Sequence, residues 1–193
     1  MLGKLQRLLE RCLQAEQSDM KQLIMIIHFL SNIMGSGAEY IHKILRETSL
    51  LKAMKHIATN FSQLSDQLAD ALAWCCKDRL DQLCLGSDDK DGTNNEIVES
   101  VIAVCNRVIK CSETRLTVNQ VIKVMELIAS QGQAQWIAKL ATHDNITCLM
   151  KQLESQMAED YSGALSCLSA LFVSEDDSII ERAIFEGFLP RVL

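Results

Sequence analysis

The residues of this chain that could do chemistry are its eight cysteines, its four histidines and a short run of aspartates. A zinc site needs cysteine or histidine ligands in closely spaced pairs, and no two cysteines of this chain stand in a CxxC arrangement. Most of the cysteines lie in apolar segments, which favours reduced, buried thiols in a cytoplasmic and/or nuclear protein. The sequence therefore predicts no metal and no cofactor.

Residues 86–95 (GSDDKDGTNN) partly match a calcium-binding EF-hand loop. Asp89 and Asp91 fit the third and fifth positions of that loop, but its first position holds a serine. Its twelfth position is Val98, where calcium needs a carboxylate. We interpret residues 86–95 as an inserted acidic surface loop.

Catalysis finds no support in the sequence. The histidines have no serine, cysteine or acid partner at a motif spacing, and no GxSxG, Walker or GxGxxG motif occurs. The formal net charge of −6 disfavours nucleic acid and anionic lipid as partners. The longest apolar stretch, Leu23–Met34, is too short to span a bilayer. We expect no enzyme, no direct nucleic-acid contact and no membrane contact.

Helices must position the functional residues of this chain. It has a single proline, and apolar residues recur at helical spacing, as in Leu5, Leu8, Leu9 and Cys12. The pattern predicts helices over residues 3–14, 20–34, 38–47, 50–60, 64–76, 96–111, 116–130, 133–141, 145–157, 160–173 and 177–186.

Four of these segments recur as the last helix of a repeated unit: Leu23–Met34, Leu64–Cys76, Val118–Ser130 and Asp160–Val173. Equivalent points at Asn32, Trp74, Glu126 and Ala170 are 42, 52 and 44 residues apart. Armadillo and HEAT repeats have about 40–47 residues, and the loop at 86–95 explains the longer interval. We predict an all-α, armadillo-like right-handed superhelical solenoid of about four repeats. Residues 1–193 form a single domain in this prediction, which we expect to be a fragment of a longer solenoid.

Three stretches resemble the importin-alpha branch of the armadillo-repeat family. Residues 28–57 (HFLSNIMGSGAEYIHKILRETSLLKAMKHI) are similar to a third helix, a glycine turn and the start of the next repeat. Residues 62–78 (SQLSDQLADALAWCCKD) look like a repeat ending, and residues 169–193 are similar to a repeat boundary with a glycine–leucine–proline step.

The resemblance implies a concave groove in which each third helix offers a Trp and, four residues later, an Asn. The matching pairs here are His28 and Asn32, Asp70 and Trp74, Ile122 and Glu126, and Ser166 and Ala170. Only Asn32 keeps the family's residue type. Acidic residues beside such a groove neutralise the lysines of a localisation peptide, and Asp70 and Glu126 could do this here.

We predict a non-enzymatic module that binds a protein or peptide partner on the concave surface. The predicted contact residues are His28, Asn32, Asp70, Trp74, Ile122, Glu126 and Ser166. One alternative is an importin-alpha-like nuclear import adaptor that recognises basic localisation signals. Another is a structural assembly subunit that docks through its end repeats as a homo- or hetero-oligomer.

Overall fold

A computed structural model describes residues 2–14, 20–35, 44, 50–60, 69, 93–112, 114–173, 177–185 and 187. These residues contain helices and turns, and no strand. The helices are α1 (Leu2–Gln14), α2 (Met20–Gly35), α3 (Leu50–Asn60), α4 (Thr93–Cys111), α5 (Arg115–Ala129), α6 (Ala134–Leu140), α7 (His143–Gln152), α8 (Ala158–Phe172) and α9 (Asp177–Phe185).

The sequence of α4 is rich in Val and Ile, which lower helix propensity because of their stiff side chains. It is nevertheless helical, because it packs against α3, α5, α6 and α7 and so buries a wide apolar stripe. Buried residues of this stripe include Val98, Val101, Ile102, Cys105 and Val108. On its outer side, Arg107 Nε donates a hydrogen bond of 2.7 Å to the carbonyl oxygen of Ala58 in α3. Burial therefore decides the helical state of this segment.

Helices α6, α7 and α8 form one complete three-helix repeat. The second helices of successive repeats stack in a row, in which α4 lies between α3 and α7. The third helix α8 packs against α5, which is the third helix of the preceding repeat. The short first helix α6 packs on α4 and α5, and α9 packs on α7 and α8 in the same manner. The molecule therefore extends by addition of similar units, as a solenoid does.

The register between neighbouring third helices is 43 residues. Helices α5 and α8 each have 15 residues and begin at Arg115 and Ala158, respectively. Under this shift, five residues of α5 coincide with five residues of α8: Thr117 with Asp160, Val121 with Ala164, Val124 with Cys167, Met125 with Leu168 and Ile128 with Leu171. All ten residues are buried. Helix α2 follows the same pattern, because buried Leu23, Ile27 and Leu30 precede Thr117, Val121 and Val124 by 94 residues.

The helix bounds differ from the prediction most at two places. Helix α4 begins at Thr93 and so includes the last residues of the predicted loop. Its first turn is fixed by tertiary contacts, since Asn95 Oδ1 accepts a hydrogen bond of 2.8 Å from Trp136 Nε1. The helix predicted over 145–157 spans His143–Gln152 instead, because the hydroxyl of Thr142 accepts a hydrogen bond from the Asn145 amide and caps it earlier.

Several predicted features lie outside the described residues. They are the helices at 38–47 and 64–76, apart from Ile44 and Ala69, and residues 86–92 of the predicted loop. Ile44 and Ala69 are helical and buried. At the other end, the prediction that Gly187 ends a helix is confirmed. Its amide donates to the carbonyl of Ile184 at 2.9 Å, and its φ of 85° favours glycine.

Candidate protein-binding surface

The third helices present side chains to solvent at matched positions, spaced i, i+4 and i+7. This row, which we call the third-helix face, consists of Met25, Phe29 and Asn32 on α2, Asn119, Lys123 and Glu126 on α5, and Ser162, Ser166 and Ser169 on α8. The residues of α2 and α8 and Lys123 are exposed, while Asn119 and Glu126 are half-buried. Because shifts of 94 and 43 residues relate the three helices, the face recurs on each third helix that the structure describes.

A hydrogen bond joins two neighbouring repeats on this face. Ser166 Oγ of α8 donates to Glu126 Oε1 of α5. Both residues were predicted to contact a partner, and the structure brings them together. The bond leaves the Glu126 carboxylate partly satisfied within the chain.

A polar cluster around the buried Asp160 fixes the start of α8 on α5. The Asp160 carboxylate accepts hydrogen bonds from Asn119 Nδ2 and from Ser155 Oγ, the latter at 2.8 Å. It also pairs with Arg115 Nε at 2.6 Å. The hydrogen bond from Arg115 is the main reason that the pKa of Asp160 lies below its usual range, and those from Asn119 and Ser155 add to it. This cluster holds the two third helices in register.

Helix α2 exposes large apolar side chains beside the predicted residues. Met25 is 70% exposed and Phe29 is 45% exposed, and both stand within one turn of His28. His28 and Asn32, two of the predicted contact residues, are exposed. An apolar pair on a polar surface indicates a site that another chain can cover.

Of the other predicted contact residues, one is buried and two lie outside the described residues. Ile122 is only 1% exposed and belongs to the core, where its Cγ2 methyl faces Gly163 of α8. It is therefore too buried to contact a partner, and its prediction as a contact residue is wrong. One position further on, Lys123 is exposed. Asp70 and Trp74 lie outside the described residues.

The last predicted pair, Ser166 and Ala170, was also placed one residue too far along the chain. Under the 43-residue register, Ile122 and Glu126 correspond to Leu165 and Ser169, and not to Ser166 and Ala170. The error follows from helix geometry, because one residue rotates a side chain by about 100° around the axis. Met25, Phe29 and Lys123 were missed, although the i, i+4 spacing of Met25 and Phe29 was available as a signal.

The edge of the solenoid contains a cavity of about 550 Å³ between α4, α5 and α7. Charged residues that line it include Lys110, Arg115, Asp144, Lys151 and Asp160. Both carboxylates are already paired: Lys110 Nζ lies 3.0 Å from Asp144 Oδ2, and Arg115 holds Asp160. These ion pairs join α4 to α7 and α5 to α8, which are equivalent helices of neighbouring repeats, so their role is structural.

Asn145, Ile146 and Thr147 match a glycosylation sequon, and this sequon is closed to modification in the fold. Asn145 is buried, and its Nδ2 donates to Asn106 Oδ1 at 2.7 Å and to the carbonyl of Leu140 at 2.6 Å. Its side chain therefore joins α4, α6 and α7.

The thiols that the structure describes, those of Cys12, Cys105, Cys111, Cys148 and Cys167, are free. Burial raises the pKa of Cys105 to about 12 and also raises the pKa of Cys148 and Cys167. Such thiols stay protonated, and only a thiolate is a good nucleophile or metal ligand. Among the described residues, no three His, Cys, Asp or Glu side chains group as a metal site would. No described helix has the length and apolar character needed to cross a membrane.

Comparisons with solved structures identify the architecture. An engineered protein from the Northeast Structural Genomics Consortium is similar over 99% of this chain and 70% of its own, with a TM-score of 0.66 and 17% identity. A designed armadillo repeat protein in complex with the peptide (KR)4 is similar over 98% of this chain and 90% of its own, with a TM-score of 0.52 and 17% identity. The chain is an all-α, armadillo-like right-handed superhelical solenoid of about four repeats.

No family model matches the chain, and no curated protein matches it either. A second engineered protein from the same consortium is similar over 99% of this chain and 88% of its own, with a TM-score of 0.54 and 18% identity. At such identity the likeness concerns the fold alone. The importin-alpha branch of the resemblance stays a prediction.

Proposed function

We propose that this chain is a non-enzymatic interaction module that binds a protein or peptide along its third-helix face. The observation that carries the proposal is the recurrence, in one register, of the exposed and half-buried positions of the third-helix face on α2, α5 and α8. A stack of parallel helices with matched outward positions offers an extended chain a regular series of contacts. The exposed Met25 and Phe29 supply apolar area at one end of the series.

Selection from a displayed library of random peptides tests this proposal. The wild-type chain should enrich peptides that lose binding when Met25→Ser and Phe29→Ser are combined. Met157→Ser is the matched control, because Met157 is an exposed methionine at the start of α8 and lies off the third-helix face. If no peptide is enriched, or if both variants bind the selected peptides as the wild type does, the assignment of the face is wrong.

The finer alternative, a nuclear import adaptor for basic signals, would rest on the resemblance to importin-alpha. The designed armadillo neighbour was solved with the basic peptide (KR)4, which makes that peptide a direct probe. Tight binding of (KR)4 that weakens steeply with salt would support the adaptor. We place the protein in the cytoplasm and/or the nucleus, a proposal that imaging of a fluorescent fusion can test.

A second candidate, a structural assembly subunit, is favoured by one specific observation. The surface of α8 and α9 that points away from α5 and α6, here called the end face, holds Tyr161, Leu165, Phe172, Ile180 and Ile184. Their equivalents one repeat earlier, Val118, Ile122, Ala129, Ile137 and Ala141, are all buried. Light scattering over a range of concentrations would support assembly if the mass rises and Ile184→Glu abolishes the rise. Leu116→Glu is the control, because Leu116 is an exposed leucine outside the end face.

A further inference from the structure

We propose that the end face binds a second copy of this chain, which docks there head to tail through its helices α1 and α2. This inference rests on the second candidate function, assembly through the end face, and names its partner. Helices α1 and α2 pack on α3. Their opposite side, which points away from α3 and is here called the leading face, is the surface that the second copy contributes.

The packing of α8 on α5 shows which kind of surface fits the end face. One repeat earlier, the residues equivalent to the end face are buried, and α8 is the third helix that covers α5. A third helix stacked in the same register therefore fits the end face of α8. Helix α2 is such a third helix, because its buried residues follow the pattern of α5.

Docking in this register places no carboxylate of α8 against the aromatic side chain of α2. Within the chain, Ser166 is the residue through which α8 contacts Glu126 of α5. Under the repeat shifts, Ser166 corresponds to Phe29 on α2, which is 45% exposed, and Glu126 corresponds to Ser169 on α8. Phe29 of the second copy would thus meet Ser169, and no unpaired charge would be buried between these two positions.

The end face carries larger apolar side chains than the equivalent surface inside the solenoid. Phe172 and Ile184 stand where the smaller Ala129 and Ala141 are buried one repeat earlier. A repeat that caps a solenoid has a polar outer face, which keeps the protein in solution. Larger apolar residues have the opposite effect, because they increase the surface that a stacked partner removes from water.

The charge of the two faces favours head-to-tail docking over contact between two end faces. Residues 1–35, which include α1 and α2, hold four basic and three acidic residues. Residues 158–193, which include α8 and α9, hold two basic and seven acidic residues. Pairing of Asp160 with Arg115 removes one of these charges and leaves the sign unchanged. Two end faces would therefore repel each other, while an end face and a leading face attract.

Complementation between two variants tests the inference. Ile184→Glu blocks the end face and Phe29→Glu blocks the leading face, so each variant alone should be a monomer. An equimolar mixture should form a dimer, because one copy keeps its end face and the other keeps its leading face. Analytical ultracentrifugation should show the mass doubling on mixing. Both residues are about half exposed, so the fold should tolerate each change, which circular dichroism checks.

The wild type and the control Leu116→Glu should behave differently from the mixture. Leu116→Glu adds the same charge at an exposed leucine outside both faces. Both chains should assemble beyond the dimer as concentration rises, because a head-to-tail contact leaves one face free at each end. This assembly should weaken with added salt, which screens the attraction between opposite charges.

The outcomes separate this inference from the candidate function on which it rests. If Phe29→Glu alone still dimerises, or if the mixture stays monomeric while the wild type assembles, head-to-tail docking is wrong and assembly through the end face stands. If the wild type stays monomeric at every concentration, both the inference and self-assembly are wrong.

Discussion

Helices α5 and α8 occupy the same place in consecutive repeats, yet they use their apolar residues differently. On α5, Val118 and Ile122 are buried because α8 stacks against them. On α8, the equivalent Tyr161 and Leu165 are only partly buried. The first helices repeat the contrast, since Ile137 is buried in α6 while its equivalent Ile180 is 37% exposed in α9.

This contrast shows that a repeat position has no fixed energetic role. Apolar burial contributes about 25 cal/mol per Å² of surface removed from water, so its size depends on what stacks on the residue. Between two repeats a side chain is covered from both sides. On the end face the same position is covered from one side, which leaves Ile184 48% exposed.

The largest expected effect is a difference in lost stability when equivalent residues of α5 and α8, Ile122 and Leu165, are replaced by alanine. Ile122→Ala should lower the free energy of unfolding by about 2–4 kcal/mol, because it leaves a cavity between α5 and α8. Leu165→Ala should cost roughly 1 kcal/mol, because Leu165 keeps part of its surface in water. Urea unfolding followed by circular dichroism measures both. Equal losses would mean that the end face is covered in solution as fully as α5 is.

The next largest loss of stability is expected at Asp160, on the polar side of the interface between α5 and α8. This loss should depend on pH. Asp160→Asn removes the charge that Arg115 and Asn119 hold and should destabilise the chain by roughly 2 kcal/mol at neutral pH. The folded chain holds the pKa of Asp160 below its ordinary value of 3.8, so this stabilisation is present above that value. It should be lost as the pH falls below about 4.

Stability curves of the wild type and Asp160→Asn should therefore converge on the acid side. A gap that stays constant from pH 7 to about pH 3 would show that the ionised carboxylate is not the source of the stabilisation.

A gain in stability is expected from filling the interface at Gly163. A Cβ added there would lie 3.9 Å from the Cγ2 of Ile122, which is an ordinary contact. Alanine also favours the helical state, so Gly163→Ala should raise the free energy of unfolding by about 0.5–1 kcal/mol. The double variant with Ile122→Ala should keep the helical gain. A loss of stability in the single variant would indicate that α5 and α8 lie closer than described.

The smallest effect is expected on the end face of α9. Ile184→Ser should change the free energy of unfolding by less than about 0.5 kcal/mol in a dilute monomer, since substitutions of exposed residues usually do. Thermal unfolding at low and high protein concentration checks this value. A loss that grows with concentration would support assembly through the end face instead.

The helical class and the repeat could be predicted because both follow from the spacing of apolar residues along the sequence. The predicted helix over 20–34 agrees with α2, the one over 50–60 agrees with α3, and the one over 160–173 agrees closely with α8. The contact residues could be predicted only in part. Ser166 and Glu126 were placed on one surface, and the structure joins them by a hydrogen bond. Ile122 was wrong, because its burial depends on Gly163 of a helix some forty residues away.

The sequence by itself determined that the chain folds into helices with a period of about forty residues, because an apolar stripe at i, i+3 and i+4 needs no information beyond one helix. Only the tertiary structure decided the rotation of each helix, and therefore whether Ile122 or Lys123 faces solvent. That choice depends on how the stripe of α5 fits the stripe of α8, where a shift of one residue turns a side chain from core to surface.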